Sequence, residues 1–144
     1  MRAEGAKVLV LDTKEQIAKF RALMENATKF NFYYAESLEE AIEKIYKENI
    51  PIVLVGCKIN GHVAEEIPDI ILKETNKPIH VILNSFDGDT CKFSRKAYLQ
   101  SPLFDVIWPT INPEKITRRI LVALEAHELE VSSSSFFFAE GEEP

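Results

Sequence analysis

The chain has 144 residues, 46% hydrophobic and 28% charged, which suits one globular domain with a single core and is too little for two. With 23 acidic against 17 basic residues and a formal charge of −6, it offers phosphate backbones no net attraction, and no local basic patch breaks that balance, so nucleic-acid binding is not expected. No stretch reaches the roughly 20 apolar residues of a membrane crossing, Met1 to Lys7 lacks the basic start and apolar core of a secretory leader, and Cys57, Cys91 and three scattered histidines form no metal motif; the expectation is a cytoplasmic protein that holds no metal or other cofactor.

The run Lys7-Val-Leu-Val-Leu-Asp12 is short, apolar and rich in valine, the pattern of a strand buried on both faces. Thr13-Lys-Glu-Gln16 follows as a capping box, and Ile17, Phe20, Leu23 and Met24 recur at helical spacing. Phe30 to Ala35 reads as a second strand, and Ser37-Leu-Glu-Glu40 caps a helix whose apolar face is Ala41, Ile42, Ile45 and Tyr46. Pro51-Ile-Val-Leu-Val-Gly56 is the most strand-like segment, followed by a turn-rich Lys58-Ile-Asn-Gly61 in which Asn-Gly favours positive φ. A third helix carries Ile67, Ile70, Ile71 and Leu72, with Pro68 acceptable only in its first turn.

Ile79 to Leu83 is a fourth strand, Asp87-Gly-Asp89 a turn that caps a helix from Thr90 to about Leu99, and Phe104 to Trp108 a fifth strand. Asn112-Pro113-Glu114 sets an N-cap, an N1 proline and an early acid ahead of a last helix with Ile116, Ile120, Leu121 and Leu124 inward. Strands alternating with helices imply right-handed crossovers and a doubly wound parallel sheet covered on both faces. Ligands of such sheets bind beyond the carboxyl ends of the strands, which brings forward Asp12, Thr13, Gly56, Cys57, Asn84, Ser85, Trp108 and Pro109. The domain is expected over residues 1–130. Residues 131–144, a serine run, three phenylalanines and an acidic end, are read as a linker or tail.

The succession Val-Leu-Val-Leu-Asp12, Ala-Glu-Ser-Leu-Glu-Glu-Ala41, Pro-Ile-Val-Leu-Val-Gly56, Val-Ile-Leu-Asn84-Ser85 and Asp-Val-Ile-Trp108-Pro109 resembles the receiver domain of bacterial response regulators, the CheY-like family, over roughly residues 6–130. Trp-Pro-Thr-Ile-Asn-Pro-Glu-Lys-Ile116 stands where receivers carry Lys-Pro-Phe-x-Pro-Glu-x-Leu. The resemblance implies the flavodoxin-like (βα)5 fold with five parallel strands in the order 2-1-3-4-5. It also implies a chemistry: a carboxylate ending the third strand attacks a phosphoryl group, two acids after the first strand hold Mg²⁺, a hydroxyl after the fourth meets the phosphate, and a lysine after the fifth neutralises charge.

Carried over position by position, Asp12 matches the first acid, Thr13 stands for the second, Gly56 replaces the phosphoacceptor, Asn84 the hydroxyl residue and Trp108 the lysine. No acid lies between Glu48 and Glu65, so the missing acceptor does not depend on register. Asp105 falls at the switch-aromatic position beside Phe104, and in receivers the bond before the residue matching Pro109 is cis. The implied protein is a pseudo-receiver that is not an enzyme: a signal-transduction module related to phosphorelay components that works without phosphate, by protein–protein interaction.

Its interaction face by resemblance comprises Phe93, Tyr98, Phe104 and Ile107 with the last helix, and admits a homodimer through the fourth helix, fifth strand and fifth helix. Trp108 is favoured as a plug over the space left by Gly56. Two other readings stand beside this one. The vacated pocket of Asp12, Gly56, Asn84 and Trp108 would hold a small ligand, or Cys57, with His62 as base, would be a nucleophile or redox sensor. Weak cation binding by Asp12 with Asp87 and Asp89 is disfavoured.

Overall fold

The computed structural model describes residues 5–24, 30–56, 58–59, 62–63, 66–76, 79–84, 104–107 and 112–139. In chain order these form β1 (Lys7–Leu11), α1 (Lys14–Met24), β2 (Asn31–Ala35), α2 (Leu38–Glu48), β3 (Ile52–Val55), β4 (Lys58–Ile59), β5 (His62–Val63), α3 (Ile67–Thr75), β6 (His80–Asn84), β7 (Phe104–Ile107) and α4 (Pro113–Ala139). The helix expected from Thr90 to about Leu99 lies outside the described residues.

The principal sheet has five parallel strands in the order β2-β1-β3-β6-β7. Counting the sheet strands alone, that is the expected order 2-1-3-4-5. The central strands are apolar at successive positions because both faces are covered. Leu9, Leu11, Val53, Val55 and Val81 meet Leu38, Ala41 and Ile45 of α2 and Ile67 and Ile71 of α3. Val8, Val10, Ile52, Leu54 and Ile82 meet Ile17, Phe20 and Met24 of α1 and Ile116, Ile120, Ala123 and Leu124 of α4. On edge strand β2, Phe32 packs edge-on against Phe20 with ring centroids 5.2 Å apart, and the Arg21 guanidinium lies 5.0 Å from the Tyr34 ring centre.

Local chemistry sets the helix ends. Ser37 Oγ accepts the Glu40 amide at 3.1 Å, while Glu40 Oε1 accepts the Glu36 N–H at 3.0 Å, one residue ahead of the usual return bond. Pro68 sits in the first turn of α3. Asn49 and Asn76, at φ 57° and 55°, terminate α2 and α3 in the left-handed region, donating to the carbonyls of Ile45 and Leu72. The two strands flanking Asn60-Gly61 pair antiparallel as a small β4-β5 ribbon.

Three helical positions expected inward face solvent: Tyr46, Leu72 and Leu121. Each adjoins a buried position, Ile45, Ile71 or Ile120, and the 100° step per residue carries it off the buried stripe. On α4 the inward place goes to Ala123. The backbone of α4 also continues beyond residue 130, through the serine run and the three phenylalanines, to Ala139. No proline or glycine interrupts residues 114–140, and the first such residue is Gly141. No helix among the described residues is long and apolar enough to cross a membrane.

Candidate functional site at the carboxyl edge of the sheet

Parallel pairing places Leu11 beside Val55, Val55 beside Leu83, and Asn84 beside Ile107. Continued by one residue, this register sets Asp12, Gly56, Asn84 and Ile107 in a row across the carboxyl edge. Two further bonds extend the ladder: Asp12 N–H donates to the Ala35 carbonyl at 3.1 Å, and Gly56 N–H to the Leu11 carbonyl at 2.8 Å. The short apolar strands therefore bring together three of the residues singled out from sequence.

Asp12 is 6% exposed and is the sole buried carboxylate among the described residues. Its Oδ1 accepts the Thr13 N–H at 2.8 Å. The whole carboxylate, Oδ1 included, lies beside Gly56 on the side where a β-carbon would stand. A β-carbon at position 56 would meet Oδ1, Cγ and Oδ2 of Asp12 all closer than 3.0 Å, a separation that real β-carbons essentially never show. The space that a side chain at position 56 would need is thus filled by Asp12.

Thr13 is committed to the start of α1. Its carbonyl accepts the Ile17 N–H at 2.9 Å and its hydroxyl accepts the Gln16 amide at 3.2 Å. The reciprocal half of the expected capping box is replaced, because the Thr13 N–H is taken by Asp12 and not by the Gln16 side chain. An oxygen acceptor at that point meets one of the N–H groups that the start of α1 leaves without an intrahelical partner. Asp12 is therefore both the filler over Gly56 and an acceptor at the helix entrance.

This donor set does not fit the Mg²⁺ of a receiver. Mg²⁺ takes an octahedron of oxygen ligands, commonly one or two carboxylates with waters, whereas the Asp12 carboxylate is packed over Gly56 and bonded to the Thr13 N–H, and Thr13 stands where a second acid would be. Among the described residues no three His, Cys, Asp or Glu side chains cluster as a metal site.

Asn84 and Ile107 have their backbones in the row, and Phe104 begins β7. Trp108, Pro109, Phe93, Tyr98, Cys57, Ser85, Asp87 and Asp89 lie outside the described residues. His62 has its backbone in β5, on the small ribbon. Sequence reasoning passed over His80, which is 4% exposed and opens β6 at the opposite end of the sheet, with its N–H on the Pro51 carbonyl at 2.9 Å. Its place inside the run Ile79-His80-Val81 was the available signal of burial. A shallow depression of about 580 Å³, lined by Pro113, Glu114, Thr117, Arg118 and Leu121, runs along α4 and shares no residue with the Asp12–Gly56 row.

No protein-family model matches the chain, and no curated protein matches it. Solved structures do. A CheY-like response regulator receiver domain from Methanospirillum hungatei superposes with a TM-score of 0.68 at 19% identity, covering 88% of this chain and 98% of that one. The signal receiver domain of an HD domain-containing protein from Pseudomonas fluorescens gives 0.69 at 12% identity, covering 92% and 96%. A chain of the complex between histidine kinase ThkA and response regulator TrrA gives 0.62 at 19% identity, covering 83% and 98%. The fold of this chain is that of the CheY-like receiver domains, and identities at this level carry the fold alone.

Proposed function

We propose that this chain is a signal-transduction module of the receiver type that works without phosphorylation, by binding another protein, and catalyses no reaction of its own. The observation that carries the reading is the packing of Asp12 on Gly56. A receiver needs a carboxylate at the place of Gly56 as nucleophile and uses the one at the place of Asp12 to hold its metal. Here position 56 has no side chain, and the Asp12 carboxylate occupies the space one would need while accepting at the helix entrance.

Protein contact remains as the means by which such a fold passes a signal. A structural neighbour occurs in complex with a histidine kinase, and a comparable protein partner is the class proposed for this chain, in a cytoplasmic pathway of the bacterial two-component kind. The contact face by resemblance includes Phe93, Tyr98, Phe104 and Ile107. The filled space over Gly56 counts against the alternative of a small-ligand sensor.

Two measurements on the full chain test the reading. Tyr98→Glu is expected to abolish capture of the partner from the native host while leaving the circular dichroism spectrum unchanged. A thermal-shift screen of small metabolites is expected to find no saturable rise in Tm, because a ligand bound only to the native state must raise it. Partner capture by Tyr98→Glu equal to wild type, together with a saturable ligand that Trp108→Ala removes, would replace the interaction module with the sensor.

A further inference from the structure

Helix α2 lies against both β2 and α3, and its two flanks differ in chemistry. On one flank Lys44 Nζ donates to the Tyr34 carbonyl and pairs with Glu40 at 3.3 Å, while Glu48 pairs with Lys7 of β1 at 3.7 Å. Those side chains close the edge of the sheet. The buried stripe of Leu38, Ala41 and Ile45 comes next, and at about 100° per residue Ile42 and Tyr46 fall beyond it, on the flank toward α3. Both helices return from one parallel strand to the next, so they run the same way, and the flank of α3 toward α2 carries Ile70 and Glu74. Ile42 and Ile70 are half-buried against the core, and Tyr46 is 65% exposed. The groove between α2 and α3 thus has an apolar floor that runs out to an exposed ring.

Its rim is acidic. Glu39 and Glu43 share a stripe with Ile42 and Tyr46, at spacing i, i+3, i+4 and i+7, and Asp69 and Glu74 flank Ile70. All four carboxylates are exposed. Set against them on the rim is exposed Lys73, while Lys47 is turned about 100° from Tyr46, away from the groove.

We propose that the α2–α3 groove is a docking site for a basic amphipathic helix of a partner protein. Two neighbouring helices offer a groove that a third fills by ridge packing. The Tyr46 ring supplies the aromatic anchor, and the rim carboxylates select lysine or arginine flanks and reject an acidic helix. The 11 residues of α2 give the groove a length of about 16 Å, which takes three turns. A second copy is a poorer occupant, because the chain itself carries a formal charge of −6. This inference goes beyond the signalling contact proposed above: it involves none of the residues assigned to that face, and it holds whether or not the Asp12–Gly56 edge is phosphorylated.

The test is backbone amide NMR of the full chain, titrated with a synthetic helical peptide of about four turns. The peptide carries leucine on one stripe at i, i+3, i+4 and i+7 and lysine elsewhere. Saturable shifts are expected, centred on residues 39–47 and 69–75. Tyr46→Ser is expected to weaken binding about tenfold. The Glu39→Gln/Glu43→Gln double variant is expected to weaken it several-fold and to flatten its decline between about 0.05 and 0.5 M NaCl. These positions are exposed, so the far-ultraviolet spectrum should not change. A peptide of the same composition with its leucines dispersed around the helix, and one with glutamate in place of lysine, are expected not to bind. No saturable shift up to about 1 mM peptide, shifts centred on another face, equal binding of a control peptide, or binding indifferent to the variants would overturn the proposal. Shifts at these amides on concentrating the chain alone would give the groove to a second copy and overturn it likewise.

Discussion

The Asp12 carboxylate lies where the side chain of residue 56 would stand, so Asp12 and Gly56 are complementary halves of one filled space. Neither can be understood alone: glycine admits the carboxylate, and the carboxylate removes the cavity that glycine would leave.

Gly56→Ala is therefore expected to destabilise the fold by about 1–3 kcal/mol, the usual cost of forcing atoms into a packed interior. Asp12→Ala alone loses an acceptor at the entrance of α1, costing roughly 0.5–2 kcal/mol. The double variant is expected to be more stable than the sum of the single effects predicts, with a coupling of about 1 kcal/mol or more from urea unfolding. Strict additivity would show that the two residues do not compete for the space.

The αL positions give a second prediction. Asn49 and Asn76 have φ of 57° and 55°, where a β-branched side chain is strained and glycine is not. Asn76→Gly is expected to leave the urea midpoint close to wild type, and Asn76→Val to cost about 1–2 kcal/mol. Equal stability of the two variants would contradict the cap geometry.

Glu40 gives the third. The Glu36 N–H bonded to its carboxylate holds the pKa below the ordinary value; desolvation opposes it in part, and Lys44, 3.3 Å away, adds to the lowering. A depressed folded-state pKa contributes stability that is present above the unfolded-state value and is lost as pH falls through the folded one. Its side chain is 43% exposed, so the contribution at pH 7 is roughly 0.3–1 kcal/mol. Glu40→Gln should be less stable than wild type by that amount at neutral pH, with the difference lost as pH falls through and below the ordinary carboxylate range. A difference that persists or grows in acid would contradict the assignment.

Much of this fold is legible in the sequence because buried parallel strands are short, apolar and β-branched, as Lys7 to Leu11 and Ile52 to Val55 are. Ser37 with Glu40, and Pro68 at the start of its helix, mark helix entrances for the same local reason. Exposed Tyr46, Leu72 and Leu121 show the limit of apolar spacing, since a residue next to a buried one lies 100° away from it. The length of α4 was hidden by composition: a serine run looks like a linker, yet serine does not break a helix that already rests on Ile116, Ile120 and Leu124.

At the candidate site, the loss of the acceptor at Gly56 is visible from residue identity alone. What fills the space is not. The expected plug, Trp108, lies outside the described residues, and the atoms seen over Gly56 are those of the Asp12 carboxylate. The relationship depends on the register between β1 and β3, neighbours in the sheet that α1, β2 and α2 separate in sequence.

The most direct test of the central claim is exposure of the full chain to acetyl phosphate, and separately to beryllofluoride, with Mg²⁺, followed by backbone amide NMR and measurement of bound phosphate. The account predicts an unchanged spectrum around Asp12, Thr13 and Gly56 and no incorporated phosphate. Stoichiometric acid-labile phosphate, with shifts spreading from those amides, would contradict it.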